Sequence, residues 1–324
     1  MPELPEVETV RRGLHGLIIG RAIKKVVHDT PKSFPNAAAD VERFLIGAKI
    51  TDVRRRAKVL MIDLSTGYTL VIHLKMTGQL VFVDKNLEDR SLNVEYSQPL
   101  NSTSTIPIAA DEVRFGAGHP NDSLIGELPD RSTRVTFTFE DGSHLFFNDQ
   151  RKFGWVKLMP TLEVPNIDFM RKVGPEPLEH DFTQAQFRER FARRAKSPIK
   201  AALLDQTVVA GVGNIYADES LWGAKIHPLR KVASVTDAEY DLLYGELRDV
   251  MNLAIEKGGS TDKNYVNAEG KRGSYMDFAR VFRREGQECS RCGTIIVKFK
   301  AAGRGTHICP KCQTAPTPSD TIGT

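Results

Sequence analysis

Hydrophobic and polar residues follow a helical period at the amino terminus and a strand-like pattern after it. Beyond Pro5 the helical spacing predicts an N-terminal helix with its buried face formed by Val7, Val10, Leu14 and Leu17. Short segments rich in Val and Ile, separated by turns, then predict strands at 22–28, 49–55, 58–64, 68–74, 79–83, 134–140 and 144–148. Residues 1–160 are therefore predicted to form a helix packed on a β-sandwich.

The second half of the chain carries helix-start signals. Capping-box spacing begins at Thr183 and at Thr236, and Ser197 followed by Pro198 predicts another helix with Ser197 as its N-cap. The fold class is thus predicted to be α+β with two domains. The expected divisions are a first domain at 1–160 with a mobile surface insertion at 84–131, a linker at 161–180, a helical domain at 181–286, a small module at 287–313 and a disordered tail at 314–324.

Composition and charge narrow the class of protein. The 324 residues are 40% hydrophobic, contain no apolar run long enough to span a membrane, and do not begin with a secretory signal pattern, so we expect an intracellular protein. The net charge of +4 is unevenly distributed. Residues 258–312 hold eleven Lys and Arg against five Asp and Glu, whereas 84–131 hold nine acids against four bases. The basic C-terminal region predicts a polyanionic partner.

The four cysteines of the chain all lie in this basic region, at Cys289, Cys292, Cys309 and Cys312. Two Cys-x2-Cys pairs at this separation predict one structural Zn²⁺, because four thiolates complete a tetrahedral shell and leave no open position. Disulfides are the alternative, but they are rare in intracellular proteins. Arg304, at the tip of the predicted hairpin between the pairs, can reach a phosphate, and His307 is interpreted as a surface residue.

The first six residues, MPELPE, can combine an amine with a carboxylic acid. Removal of Met1 would leave Pro2 with a secondary amine of pKa about 8, which is partly unprotonated at neutral pH and can form an iminium. Glu3 can then supply or accept a proton. The alternative is that Pro2 only permits processing and that Pro5 only starts the helix.

Three further segments contain residues suited to nucleic-acid binding. Gly211-Val212-Gly213-Asn214 leads into a predicted helix that Asn214 can cap, which makes either a phosphate site or only a tight connection. Met76 in one predicted turn and Arg151 with Phe153 in another are usually packing residues. In a DNA-binding protein, however, such exposed side chains can wedge into a base stack.

Seven ordered motifs together resemble the bacterial formamidopyrimidine-DNA glycosylase family. They are 2–9 (PELPEVET), 76–78 (MTG), 151–154 (RKFG), 174–178 (GPEPL), 211–216 (GVGNIY), 265–270 (YVNAEG) and the four cysteines. The resemblance covers the chain from Pro2 to Cys312 apart from the insertion. It implies a helix-two-turn-helix in 181–286 and a β-hairpin zinc finger in 287–313.

The resemblance implies a bifunctional base excision repair enzyme that removes oxidised purines, chiefly 8-oxoguanine and formamidopyrimidines, from double-stranded DNA. The residue matching Pro2 attacks C1′ of the damaged nucleotide, and the resulting Schiff base permits β- then δ-elimination. Glu3 matches the proton donor. Lys58 matches a general acid that also contacts the lesion's backbone, and Arg304 matches an arginine that binds phosphate and assists elimination.

The same resemblance implies a set of DNA contacts. Met76, Arg151 and Phe153 match the family residues that fill the void left by the extruded nucleotide, and Arg151 matches the one that faces the orphaned base. Asn214 matches a phosphate ligand, and Glu6 is placed with the DNA-contacting residues. Residues 260–275 match a loop that closes over the everted base. One departure is Lys75, which stands where the family usually has Gly.

The sequence leaves two rival functions open. An endonuclease VIII-like enzyme for oxidised pyrimidines shares the nucleophile and the fold, although residues 7–9 and the loop 265–270 favour the purine class. A zinc-finger protein that only senses damaged DNA is a rival without catalysis. For the enzyme we expect a monomer in the bacterial cytoplasm, associated with the nucleoid, and no contact with membranes.

Overall fold

The computed structural model describes residues 2–84, 113–118, 126–260 and 275–316. The first part of the chain contains helices α1 (Leu4–Ile18) and α2 (Ala38–Phe44). Its strands are β1 (Ile23–His28), β2 (Ile50–Arg56), β3 (Val59–Leu64), β4 (Tyr68–His73), β5 (Gly78–Asp84), β6 (Val113–Gly118), β7 (Thr133–Phe139), β8 (His144–Asp149) and β9 (Trp155–Pro160). All of the pairings between these strands are antiparallel.

These strands form two sheets that face each other across one hydrophobic core. The strand order is β1-β7-β8-β5-β6 in one sheet and β2-β3-β4-β9 in the other. The core between them includes Ile62, Ile72, Phe82 and Phe147, together with the apolar face of α1. The predicted α+β fold with an N-terminal helix on a β-sandwich is confirmed.

Three elements of this domain escaped the sequence prediction. Helix α2 and strand β9 lie in segments for which no element was predicted, and β6 lies inside the segment 84–131 that was predicted to be a mobile surface insertion. Strand β6 instead pairs with β5, where Phe115 lies opposite Phe82 and is buried. Two glycines in this strand weaken its sequence signal. The rest of that segment, apart from Asp84 and residues 126–131, falls outside the described residues.

The second part of the chain is helical and ends in a two-stranded hairpin. It contains α3 (Asp168–Lys172), α4 (Gln184–Ala192), α5 (Ile199–Leu204), α6 (Asn214–Gly223), α7 (Asp237–Glu256), β10 (Val297–Ala301) and β11 (Arg304–Ile308), with 3-10 turns at Thr161–Asn166, Val232–Ser234 and Tyr275–Phe278. The capping boxes predicted at Thr183 and Thr236 are both formed. Helix α5 begins one residue later than predicted, with Pro198 rather than Ser197 at its N-cap.

Two predictions for the end of the chain fall largely outside the described residues. The predicted closing loop 260–275 is described only at Ser260 and Tyr275, and the predicted tail 314–324 only to residue 316. Within the described part of the chain, no helix has the length and apolar character needed to cross a bilayer.

Helix α1 belongs to both hydrophobic cores. Val7, Val10 and Leu14 pack into the sandwich core, whereas Leu4 packs into the helical core with Val212 and Tyr216. The helix also contacts α7 as well as β2. The first residues of the chain are consequently held where the two parts of the protein meet.

A buried carboxylate in the linker reinforces this junction. Glu176 accepts a hydrogen bond from Arg55 Nη1 at 2.7 Å and a short one from the backbone N–H of Ala57. Ala57 has a φ of +52°, a left-handed conformation that is costly for a residue with a Cβ. Glu176 therefore holds the turn that leads from β2 to Lys58.

We expect Glu176→Ala to destabilise the protein by about 3 kcal/mol, because the buried Arg55 would keep only Glu8 as a carboxylate partner and the Ala57 N–H would lose its acceptor. Urea unfolding at pH 7 measures the change. Glu163→Ala is the matched control, since that glutamate is exposed on the preceding 3-10 turn and its loss should cost less than about 0.5 kcal/mol. Equal stability of the two variants would contradict the role given to Glu176.

Candidate active site

The amino-terminal segment docks against the loop that precedes α6. The backbone N–H of Leu4 donates to Gly211 O at 3.0 Å. A Cβ added at Gly211 would lie 2.5 Å from Leu4 Cβ, and one added at Gly213 would lie 2.1 Å from Glu3 Cδ. The two glycines that suggested a phosphate loop are thus required for the close approach of Glu3 and Leu4.

The carboxyl group of Glu3 is buried at the N-terminus of α6. Its Oε1 accepts a hydrogen bond from Ile215 N–H at 3.3 Å, and its Oε2 has no hydrogen-bond partner within the described residues. Burial raises the pKa of Glu3 to about 7, with a further rise from Glu6 that Lys58 and the Ile215 N–H oppose. Glu3 is therefore divided between its acid and carboxylate forms at neutral pH and can transfer a proton in either direction.

Glu6 fixes the backbone of this segment. Its Oε2 accepts from Glu3 N–H at 2.8 Å, and its Oε1 accepts from the Tyr216 hydroxyl at 2.5 Å and from Ser260 N–H at 3.0 Å. Both oxygens are thus engaged by protein groups and the side chain is buried. The sequence prediction placed Glu6 with the DNA-contacting residues, whereas this geometry gives it a positioning role.

Lys58 reaches the same loop from the sandwich domain. It is buried, follows the Ala57 turn, and donates through Nζ to Val212 O at 2.9 Å. Burial lowers the pKa of Lys58, and the positive charge of Arg304 adds to this effect, while Glu3 and Glu6 oppose it. Pro2, next to Glu3 in sequence, is also buried. The structure accordingly brings Pro2, Glu3 and Lys58 to one place.

Asn214 links this site to the hairpin that carries Arg304. The predicted cap residue was Asn214, but Gly213 occupies the N-cap and Asn214 is the first residue of α6. Its side chain donates to Gly305 O at 3.0 Å. Arg304 itself begins β11 and is exposed. The side chain expected to cap the helix therefore positions the backbone beside Arg304.

Sequence reasoning missed Lys200, which supports the same hairpin. Its side chain is fully buried, and Nζ lies 2.6 Å from Asp218 Oδ1 and 2.7 Å from Thr306 Oγ1. Burial lowers the pKa of Lys200, and the negative charge and hydrogen bond of Asp218 oppose this shift. The only available signal was a single Lys in the otherwise apolar helix 199–204 (IKAALL).

His307 is also placed differently from its prediction as a surface residue. Its side chain is only 3% exposed, and Nδ1 lies 3.2 Å from Asp218 Oδ2, which also accepts the His307 backbone N–H at 2.9 Å. The ring therefore ties the hairpin to α6.

The predicted wedge residues lie on two adjacent turns at the ends of β5 and β8. Met76 occupies the turn closed by the hydrogen bond from Gly78 N–H to Leu74 O, at 2.8 Å. Phe153 is 49% exposed, with the Arg151 guanidinium 5.2 Å from its ring centroid. Lys75, where the family usually has Gly, adopts a left-handed φ of +53°. A backbone in this region favours Gly, the residue that the resemblance leads us to expect here.

The four cysteines of the predicted finger form one compact cluster of thiol ligands. Their Sγ atoms all lie within 4.8 Å of one another, and the separation between Cys289 and Cys312 is 3.9 Å. Zn–S bonds of about 2.3 Å in a tetrahedron require sulfur separations of about 3.8 Å. The buried Trp222 indole N–H has no other partner in the described structure and lies against this cluster. The residues therefore fit one Zn²⁺.

Comparisons with known proteins agree with these features. Residues 1–156 match the formamidopyrimidine-DNA glycosylase N-terminal domain, 173–265 match the H2TH domain of that glycosylase, and 286–315 match the zinc finger found in FPG and IleRS. The chain is 39% identical to the formamidopyrimidine-DNA glycosylase of Streptococcus pneumoniae over 313 residues, which cover 97% of this chain and 99% of the relative.

Two similar solved structures come from Lactococcus lactis. One is a complex of Fpg with DNA containing an abasic site, at 34% identity and a TM-score of 0.76. The other is a complex with DNA containing N7-benzyl-Fapy-dG, at 33% identity and a TM-score of 0.77. Each comparison covers 97% of this chain and 100% of the other.

Metal analysis tests the finger. We expect one zinc ion per chain in the native protein, and we expect Cys309→Ser to lose it, because three thiolates hold the metal much less tightly than four. His307→Asn is the control and should keep its zinc, since His307 lies outside the ligand cluster. Zinc retained in the first variant, or lost from the second, would contradict the assigned ligand set.

Proposed function

The chain belongs to the formamidopyrimidine-DNA glycosylase family, a group of DNA repair glycosylases with AP lyase activity, and we propose that it excises oxidised purines through Pro2. The substrates are 8-oxoguanine and formamidopyrimidines in double-stranded DNA. The observation that carries the proposed chemistry is the burial of Glu3, with a pKa of about 7, directly beside Pro2 and within the electrostatic influence of Lys58. The choice of purines rests on residues 7–9 and 265–270 and on the formamidopyrimidine-DNA glycosylases that the chain resembles.

The proposed chemistry begins at the mature amino terminus. After removal of Met1, the unprotonated nitrogen of Pro2 forms a bond to C1′ as the bond from C1′ to the damaged base breaks. Glu3 in its acid form supplies the proton that this exchange requires. The C1′–O4′ bond of the sugar then opens, with the proton of the Pro2 nitrogen passing to O4′, and leaves an iminium between Pro2 and C1′. This iminium activates the opened sugar for β- and then δ-elimination of the flanking phosphates. Lys58 and Arg304 assist these eliminations.

The DNA must be deformed before this chemistry can occur. C1′ is inaccessible within a stacked duplex, and extrusion of a nucleotide costs a few kcal/mol. Met76, Arg151 and Phe153 fill the vacated space and offset part of this cost, with Arg151 facing the orphaned base. Asn214 and Arg304 contact phosphates. The Zn²⁺ stabilises the finger that presents Arg304 and takes no part in the bond changes.

Borohydride should trap a covalent complex between Met1-free protein and a duplex containing 8-oxoguanine opposite cytosine, with the DNA attached at Pro2 by peptide mapping. A protein with an uncleaved N-terminal extension is the control and should bind without trapping, because its nitrogen is blocked. We expect trapping to be at least about tenfold slower with thymine glycol. The reverse order would assign the endonuclease VIII-like activity, and an absence of trapping would assign the sensor.

The pH dependence of excision tests the role of Glu3. The reaction needs the acid form of Glu3, which is lost above pH about 7, and the free amine of Pro2, which increases toward pH about 8. Single-turnover rates should therefore pass through a maximum between these values. In Glu3→Gln we expect a rate at least about a hundredfold lower and no decline at high pH. A variant profile with the native basic limb would exclude Glu3 as the acid.

Glu3→Gln should also change stability in a pH-dependent way. Burial raises the pKa of Glu3 above its unfolded value, so ionisation of Glu3 destabilises the folded state. This loss of stability is nearly absent below pH about 4.5 and complete above pH about 7. We expect the variant to be more stable than the native protein by about 2 kcal/mol at pH 8 and by little at pH 5. Urea unfolding at both pH values measures this, and an equal difference at both would contradict the assigned pKa.

A further inference from the structure

One buried carboxylate connects the two turns that carry the wedge residues. Asp149, at the end of β8, is fully buried. Its Oδ2 accepts hydrogen bonds from Phe153 N–H at 2.8 Å and from Gly154 N–H at 2.6 Å. Its Oδ1 accepts from Arg151 N–H at 3.2 Å and also accepts a short hydrogen bond from the Thr77 hydroxyl. Donors from both turns therefore converge on the same side chain.

Thr77 completes the connection from the other side. It lies directly after Met76, and its Oγ1 accepts a hydrogen bond from Arg151 N–H at 3.1 Å while it donates to Asp149. The hydroxyl thus joins the Met76 turn to the Arg151 turn twice, once directly and once through the carboxylate. A hydroxyl can serve in both ways because it is a donor and an acceptor.

The carboxylate is fixed to the sheet and does not move with either turn. The backbone N–H of Asp149 donates to Ser132 O at 2.8 Å, and its carbonyl accepts from Arg134 Nε at 2.8 Å. Gly154 packs so closely that an added Cβ would lie 2.7 Å from Phe147 Cζ and 3.1 Å from Asp149 Oδ2. Asp149 is consequently a rigid point to which both turns are attached.

Both turns need such support. Each contains a non-glycine residue in the left-handed region, Lys75 at φ +53° and Lys152 at φ +56°. Conformations of this kind persist only where the surrounding contacts enforce them. Each of these residues is adjacent in sequence to a wedge residue, so the backbone at Met76, Arg151 and Phe153 depends on the hydrogen bonds around Asp149.

We propose that Asp149 and Thr77 are positioning residues that make the two turns act as one unit, so that Met76, Arg151 and Phe153 enter the duplex together. This inference rests on the proposed function. The part of the extrusion cost that these side chains offset is largest when all three occupy the vacated space at once. Joint entry also fixes Arg151 relative to the orphaned base, which makes the recognition of that base part of the extrusion step.

Loss of the connection should slow the extrusion of the damaged nucleotide more than the bond changes at its sugar. A base in a duplex must be extruded, whereas an abasic site in single-stranded DNA has no partner to leave and no stack to break. A variant with uncoupled turns should therefore excise 8-oxoguanine slowly and cleave single-stranded abasic DNA at the native rate. A role confined to general stability would instead slow both reactions alike.

The sharpest test compares Thr77→Val with Thr77→Ser. Valine keeps the shape of threonine and removes the hydroxyl, whereas serine keeps the hydroxyl. We expect Thr77→Val to excise 8-oxoguanine opposite cytosine about tenfold more slowly in single turnovers, to lose most of its preference for cytosine over adenine opposite the lesion, and to cleave single-stranded abasic DNA at the native rate. Thr77→Ser should stay within about twofold of the native protein in all three measurements.

Asp149→Asn provides a second variant, because one oxygen that accepts hydrogen bonds becomes an NH₂ group facing N–H donors. We expect the same selective loss, larger than in Thr77→Val. Equal excision rates for the valine and serine variants, or an equal slowing of duplex excision and single-stranded cleavage, would overturn the inference. Failure of the native protein to cleave abasic DNA would instead refute the proposed function, which separates the two conclusions.

Discussion

The arrangement of the site depends on how the carboxyl group of Glu3 is kept out of water at the N-terminus of α6. Such burial is unfavourable unless donors and positive potential compensate for the lost hydration. The Ile215 N–H, the end of the helix dipole and Lys58 supply that compensation. They can do so only because Leu4 and Glu6 hold the segment against the helical domain. The position of the reactive end of the chain and the arrangement of the two domains are therefore set by the same contacts.

The loop before α6 collects groups from separate parts of the sequence mainly through its backbone. Val212 O accepts from Lys58, Gly211 O accepts from Leu4, and Ile215 N–H donates to Glu3. Backbone groups provide fixed dipoles that need no reorganisation when charge moves, which suits a site for proton transfer. This explains why the receiving segment needs glycine at Gly211 and Gly213 rather than charged side chains. The sequence of this loop has to leave space for Glu3 and Leu4.

The features predicted from the sequence are those that short spacings determine. The cysteine pairs, the capping boxes and the sandwich strands each arise from residues close together in the chain, and their structures agree with the predictions. The roles of Glu176, Lys200 and Asp149 could not be predicted, because each depends on a partner far away in sequence or on a neighbouring turn. Asn214 illustrates this limit of local prediction. Its position in the sequence suggests a helix cap, whereas its side chain donates a hydrogen bond to the hairpin, ninety-one residues later in the chain.

Helix α1 and its N-cap residue also show how two nearby carboxyl groups can have widely separated pKa values. Burial alone would raise the pKa of Glu8, but hydrogen bonds from Arg11 and Arg12 lower it to about 2, so this group is a permanent anion. Glu3 lacks an arginine partner and keeps one oxygen without a hydrogen bond in the described structure, and its pKa is about 7. A second donor to Glu3 would stabilise the carboxylate and the fold, and it would remove the proton that the reaction needs. The incomplete hydrogen bonding of Glu3 is thus the condition for its chemistry, and the anionic Glu8 network nearby stabilises the helix that has to carry it.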